Sequence, residues 1–329
     1  MRQIFILSLL IIIGIQSCNV GTTGFWKDEN ISQSLKNEIN KLDKKVFEAI
    51  VSNNHKQIKS LMSDKLLDIS GDNIDKLVDQ ANTIIKNDDY RVLNQFYVKN
   101  STTGIGNTVM TGFSDPEDYI IHYKALNKEM FISLIIPTNG LDEAIITNIY
   151  GKYPEGWKLN IIQLGMYKVN GKTAPQLFAK AKKELDNGYL VDAANSISLC
   201  TRVIRPANKI WQYQKEEDIK KIQAKIGTEI NLNYSFPLTL NGIQTKPKIL
   251  TIYPLGTSDG YFPMIEYLTD INLKDTIRTK EENQLIHNSI GEVFKGIDMN
   301  KKYILYKAFS EMPNGVIPVP TYGFVKEIK

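Results

Sequence analysis

Cysteine and histidine are scarce in this 329-residue chain: two of the first, Cys18 and Cys200, and three of the second, His55, His122 and His287. Two cysteines exclude a disulfide framework and a cysteine-based zinc site. Each histidine stands alone in its segment, so no HExxH-like metal spacing arises. A GxSxG elbow, a Walker loop and a dinucleotide fingerprint are also missing. Gly104-Ile105-Gly106 is a short turn-like pair without the third glycine. No metal and no cofactor is called for. An excess of one charge is lacking too, with 40 Lys and Arg against 36 Asp and Glu. That balance excludes the concentrated basic face of a nucleic-acid binder. Long apolar runs are missing except at the start, where Ile4 to Ile15 is almost unbroken Ile, Leu and Phe. That run falls short of the roughly 20 residues a membrane-spanning helix needs.

A charged start at Arg2, a short apolar run and a small residue, Ser17, are the marks of a secretory signal. Ile15-Gln16-Ser17-Cys18 resembles the lipobox at which bacterial lipoproteins are cut. The resemblance implies residues 1–17 as a signal peptide and Cys18 as the lipidated first residue, held to the membrane by its acyl chains. Two or more chains anchor stably where one does not, at about 0.8 kcal/mol per buried methylene. Asn19 is not the aspartate of an inner-membrane retention signal, and no acidic cluster follows the cysteine. The implied address is the periplasmic face of a bacterial outer membrane. Residues 18–30, small and polar around Phe25-Trp26, read as a tether. Removing Arg2 from the 40 basic residues leaves 39 against 36 acidic ones, still close to neutral. Cys200 becomes the only free thiol, and its amphipathic helical setting makes it a buried structural residue.

The remaining chain reads as an α+β fold: helices packed on a curved, cone-like antiparallel sheet, then a helical hairpin, then a small α+β domain. Leu35, Ile39, Leu42, Val46, Phe47 and Ile50 recur at helical spacing. Ile58 to Leu66 starts a second helix, and Asp72 to Ile85 a third. Strands are expected at Tyr90–Val98, Tyr119–Tyr123, Met130–Ile136, Glu143–Tyr150 and Trp157–Val169. Asn139-Gly140 and Pro154-Glu155-Gly156 serve as hairpin turns. Val46-Phe47-Glu48-Ala49-Ile50, the short second helix and the closing hairpin around Gly156-Trp157-Lys158-Leu159 resemble the nuclear transport factor 2-like superfamily. The resemblance covers residues 31–173 and implies a cone with an internal pocket.

Asn170 to Pro175 reads as a boundary. Residues 174–228 read as a helical hairpin, with helices at Gln176–Ala207 and Ile210–Ile226. Ala179 to Tyr189 with Ala193-Ala194 resembles tetratricopeptide spacing, but one unit does not make an array, which needs about three neighbours. Residues 229–329 read as the small α+β domain, with strands at Ile230–Phe236, Lys248–Tyr253, Met264–Ile271, Tyr303–Phe309 and Thr321–Val325. Its helix, Lys280–Phe294, would be capped by Thr279 with Glu282 three residues on.

Strand alternation across Asp118-Tyr119-Ile120-Ile121-His122 puts Asp118 and His122 on one face. Inside an apolar cone they would form a proton-transfer pair; the plain reading is a solvated turn and an outward histidine. Trp157, Leu159, Ile161, Gln163 and Tyr167 share a face by the same counting, with Gly165 interrupting. Such a row walls a ligand pocket or is simply the packed side of a sheet; Trp157, Gln163 and Tyr167 are the ligand candidates. Three functions fit. The first is a lipid-anchored envelope binding or accessory protein without an evident catalytic site, holding an envelope protein or another component. The second is an envelope enzyme using the cone, and the third a carrier of a small apolar ligand. The first is adopted. A filled core with an exposed apolar patch would favour it.

Overall fold

The computed structural model describes residues 22–85, 87–138 and 140–328. The signal peptide, Cys18 and Asn139 of the expected turn lie outside these residues. The fold is α+β, with helices set against three sheets.

The expected tether is folded from Thr22 onward. Thr22–Lys27 forms β1, which pairs antiparallel with β2 (Tyr90–Asn100). Trp26 stacks on Tyr97 at 5.1 Å. The Asp28 carboxylate accepts hydrogen bonds from Asn94 Nδ2 at 2.7 Å and Gln95 N at 2.8 Å. Phe25 and Trp26 are therefore strand residues with aromatic partners on β2, Phe96 and Tyr97, rather than linker.

Four helices follow: α1 (Gln33–Val51), α2 (His55–Leu61), α3 (Asp64–Ser70) and α4 (Asn73–Ile84). The expected second helix is two, because Met62 turns extended to bridge Leu159 and Ser63 caps α3 by accepting from Leu66 N at 3.3 Å. Next come β3 (Gly106–Met110), β4 (Tyr119–Lys124), β5 (Glu129–Pro137), β6 (Glu143–Tyr153) and β7 (Gly156–Lys168). The main sheet has the order β1-β2-β5-β6-β7. One face packs on α1–α4 through Phe131, Ile135, Ile146, Tyr150, Trp157 and Leu159.

The other face is covered as well. Phe96, Val98, Ile132, Leu134 and Ile149 share a core with Leu177, Ala193, Ile197, Cys200, Trp211 and Tyr213. These belong to α5 (Ala174–Asp186), α6 (Leu190–Arg202) and β8 (Trp211–Tyr213). β8 completes a small sheet of order β3-β4-β8. The stretch expected as a separate helical hairpin, 174–228, thus contributes a strand and half a core to the N-terminal body. Asn170-Gly171 is a tight turn, with φ of 54° and 69° and Val169 and Lys172 exchanging 3.0 Å bonds. It reverses the chain without separating domains.

The second expected boundary, at 229, falls inside α7 (Glu216–Asn233), so the strand expected over Ile230–Phe236 begins as helix. Beyond it lie β9 (Leu238–Thr239), β10 (Lys248–Thr257), β11 (Gly260–Leu268), α8 (Thr276–Val293), β12 (Tyr303–Phe309) and β13 (Thr321–Glu327). The sheet order is β13-β12-β11-β10-β9, with β11 and β12 parallel across the α8 crossover. Asp275, not Thr279, caps α8, accepting from Arg278 N at 3.2 Å. Thr279 bonds back to the Asp275 carbonyl at 2.7 Å, and Glu282 is buried and accepts from Thr245.

Candidate functional site

The expected proton-transfer pair does not assemble. Tyr119, Ile121 and Tyr123 are the buried face of β4, so His122 lies on the opposite, half-exposed face. There its Nε2 meets Gln212 Oε1 at 3.0 Å. Asp118 is a turn staple, accepting from Thr111 Oγ1 and Asp115 N, each at 2.9 Å. Asp115 and Pro116 of the turn are exposed, while Asp118 itself is buried.

The expected wall of Trp157, Gln163 and Tyr167 is broken by a bulge. Ile149 pairs with Ile161 and Tyr150 with Leu159, leaving Asn160 as the extra residue. An extra residue reverses which side chains face which layer. Trp157 and Leu159 therefore pack against α1–α4, whereas Ile161 and Tyr167 join the opposite core. Gln163, opposite Thr147, is half-buried. The bulge is held by the Asn160 amide, which accepts from Tyr153 OH at 2.8 Å and donates to Asn127 Oδ1 at 2.7 Å. Gly165 has a steric reason: a Cβ there would collide with the Pro206 carbonyl oxygen.

Between α1 and the main sheet lies a polar group that periodicity passed over. Asp43 of α1 is 0% exposed. It accepts from Ser133 Oγ at 2.6 Å, Tyr150 OH at 2.7 Å and Asn148 Nδ2 at 2.9 Å. Burial pushes its carboxyl above the usual range, against the pull of those three bonds. The signal was present: Asp43 falls four residues after Ile39, on the apolar stripe. With all three of its hydrogen-bond partners buried, Asp43 joins helix to sheet.

The concave site lies elsewhere, between α5–α6 and the C-terminal sheet. It is a cleft of about 490 Å³, within the size range of small-molecule pockets. The local sequence explains how it is held. Thr173 and Gln176 form a capping box that starts α5. Gly188, at φ 75°, turns the chain into α6. Asp192, in the first turn of α6, meets Lys301 Nζ at 2.9 Å, and the same ammonium donates to Gly296 O at 2.8 Å. Gly296 sits at φ 88°, where a Cβ would strike the Tyr189 ring. On the far wall, Tyr261 OH donates to Asp142 Oδ2 at 2.7 Å, and Asn170 N donates to Asp142 Oδ1 at 2.8 Å. Asp142 thus ties the β5–β6 loop to β11.

Two features mark this cleft out from the more open groove between α5 and α7, which has Phe178 and Ile222 on its floor. Asn170 and Asn300 hold φ of 54° and 55° at its rim, the left-handed turn conformation that asparagine adopts readily, which sets their amides at the mouth. Asn195 Nδ2 and Glu184 Oε2 are buried without a hydrogen-bond partner, and both residues line the cleft. Such groups call for a partner. Burial raises the Asp192 carboxyl, and the Lys301 charge opposes that rise. The arrangement supplies hydrogen bonds, paired charges and an apolar wall of Tyr261, Phe262 and Leu199. Among the described residues no cluster of His, Cys, Asp and Glu could hold a metal, and no helix is long and apolar enough to cross a membrane. The cleft draws on residues 170–199, 254–263 and 296–301, and no local motif announces it. Compared with known proteins, the chain matches no family model, no curated protein and no solved structure.

Proposed function

We propose that this is a lipid-anchored cell-envelope binding protein whose ligand sits in the cleft between α5–α6 and the C-terminal sheet. The carrying observation is the cleft itself, with its two unpartnered buried polar atoms and its asparagine-lined rim. The run Ile15-Gln16-Ser17-Cys18 supports the anchor and the exported address, on the periplasmic face of the outer membrane. A nuclear transport factor 2-like arrangement of α1–α4 on the main sheet serves as scaffold, its interior filled by side chains. Only residues 19–21 separate an acylated Cys18 from Thr22. The sheet end bearing Thr22, with exposed Lys99, Lys128 and Lys152 beside it, then faces the bilayer. The C-terminal domain docks at the opposite end of that sheet, through Asp142 and Tyr261.

The test has two parts. Cys18→Ala should move the protein from the membrane to the soluble fraction; retention in the membrane would remove the anchor. Native mass spectrometry of the protein extracted from its own envelope should show an added mass that denaturation releases. Asn187→Trp, placed at the exposed rim, should abolish that mass.

A second surface favours a protein partner. From Met312 to Val325 the chain carries no charge, and Val316 is 85% and Ile317 66% exposed. This patch lies at the end of β12 and β13, away from the hairpin that touches the main sheet. It is the surface we assign to an envelope protein, and Ile317→Asp should weaken any crosslinked complex without lowering stability.

A further inference from the structure

We infer that the cleft takes a saccharide, neutral or singly anionic. This rests on the proposal that the cleft binds a small ligand and names its chemistry. The first argument is charge. Glu184 and Asp192 are already paired, with Lys180 at 3.3 Å and Lys301 at 2.9 Å. Only Lys183 adds an uncompensated charge to the lining. A cationic ligand meets carboxylates that are occupied, and a polyanion meets no convergent set of free cations. A neutral or weakly anionic molecule fits.

The second argument is the mixture of donors and acceptors. Asn170, Asn187, Asn195 and Asn300 each offer an amide, which both donates and accepts. A hydroxyl also does both, so neighbouring hydroxyls of a sugar ring can answer an amide in either sense. The two unpartnered atoms repeat this requirement: Asn195 Nδ2 needs an acceptor and Glu184 Oε2 needs a donor. A vicinal diol supplies one of each. Both side chains end in soft sp³–sp² torsions, so a small rotation presents them to a ligand. An apolar ligand would leave both unsatisfied, which argues against the small apolar molecule expected for the cone.

The third argument is shape. Tyr261, Phe262, Pro254 and Pro263 line the cleft from the C-terminal sheet, and Asp192, Asn195 and Ser196 line it from α6, so an apolar side and a polar side meet in it. A pyranose has that same division, with C–H groups on its ring faces and hydroxyls around its edge. A peptide of similar size does not present hydroxyls at successive ring positions, and a nucleotide, whose ribose does, brings phosphate charge for which the lining has no set of free cations.

The experiment begins with full-length protein extracted from its own host in mild detergent. The mass released on denaturation is collected and hydrolysed for sugar analysis. The same preparation is screened against immobilised glycans covering neutral hexoses, N-acetylhexosamines and uronic acids. The expected result is a hexose, hexosamine or uronic acid in the hydrolysate, or binding of such a glycan. Asn195→Leu and Glu184→Gln should each weaken that binding by about tenfold, with unfolding temperature checked to exclude misfolding. A released fatty acid, peptide or nucleotide that Asn187→Trp excludes would overturn the sugar assignment and leave the binding cleft standing. A bare mass with no glycan bound would overturn both. Glycan binding unchanged in Asn195→Leu and in Asn187→Trp would place the sugar elsewhere and refute the assignment.

Discussion

Asp43 tests the physical account of the N-terminal body most directly. Asp43→Ala removes the acceptor of three buried hydrogen bonds, from Ser133, Asn148 and Tyr150. Each donor left dry costs about 1–3 kcal/mol, so the truncation costs about 3–9 kcal/mol if all three stay unpaired. That is a large part of the roughly 5–15 kcal/mol that keeps a domain folded. Asp43→Asn keeps the volume and one acceptor, and about 1–3 kcal/mol is expected. Urea unfolding followed by tryptophan fluorescence reads both, because Trp26 and Trp157 lie in the same core.

The pH dependence supplies an independent check. Burial lifts the folded Asp43 carboxyl above 3.8, with the bonds from Ser133, Tyr150 and Asn148 working against the lift. As pH rises from 3.8, the unfolded chain ionises this group first, so the folded state holds more protons. Stability from this group then falls as pH rises through the folded pKa, by at most about 1.4 kcal/mol per pH unit. The Asp43→Asn variant lacks that loss, so its deficit against wild type should shrink across the window. Parallel curves would refute the burial argument. So would an Asp43→Ala cost below about 1 kcal/mol.

Other expectations follow from single contacts. Gly165→Ala should cost about 1–3 kcal/mol by forcing the Pro206 carbonyl aside. Gly227→Ala, in open space on α7, should instead stabilise by up to about 1 kcal/mol; equal effects in urea titrations would contradict the packing at Pro206. Lys301→Met strands the Asp192 carboxylate and should cost about 3 kcal/mol, much of it recovered by adding Asp192→Asn. Additive losses in that double-mutant cycle would mean the pair is not coupled. Burial pushes the Cys200 thiol up to about 12, so thiol reagents should label it only as fast as the protein opens. Rapid labelling of folded protein at pH 7 would contradict its burial. Asp118→Ala should lower stability by about 1–2 kcal/mol through its two lost hydrogen bonds, with ligand retention in native mass spectrometry unchanged.

Element type was legible wherever one periodicity ran unbroken. The stripe of α1 is continuous from Leu35 to Ile50, and β10 and β12 carry strand patterns that the fold repeats. Errors arose where a local signal was real but served another purpose. Thr279 and Glu282 have capping-box spacing, yet they sit within α8, where Glu282 bonds Thr245. Asn170-Gly171 has the look of a linker because it is a tight turn, and tight turns also occur inside a single core. Thr22–Lys27 is short and polar because β1 is an edge strand with one face exposed. None of these distinctions is local: each depends on which distant residue completes the contact.

The candidate site illustrates the same limit more sharply. Counting by twos from Trp157 placed Gln163 and Tyr167 on one wall, and the count fails at Asn160 and again at Tyr167, where the register with β6 shifts a second time. A bulge adds a residue on one strand only, so it is invisible without the partner strand. The actual cleft is assembled by a chain of long-range dependencies. Asp142 must reach Tyr261, Gly296 must yield to the Tyr189 ring, and Lys301 must find Asp192. Each link spans about a hundred residues and uses a residue type that is unremarkable where it stands in the chain. Within the cleft lining, Asn195 Nδ2 and Glu184 Oε2, side-chain atoms that end up buried without partners, carry a mark of function in themselves. That mark exists only after folding, since both would be fully hydrated on an isolated helix. A binding site of this kind is built from unmet hydrogen-bond valence, which is a property of the packed structure rather than of any segment in it.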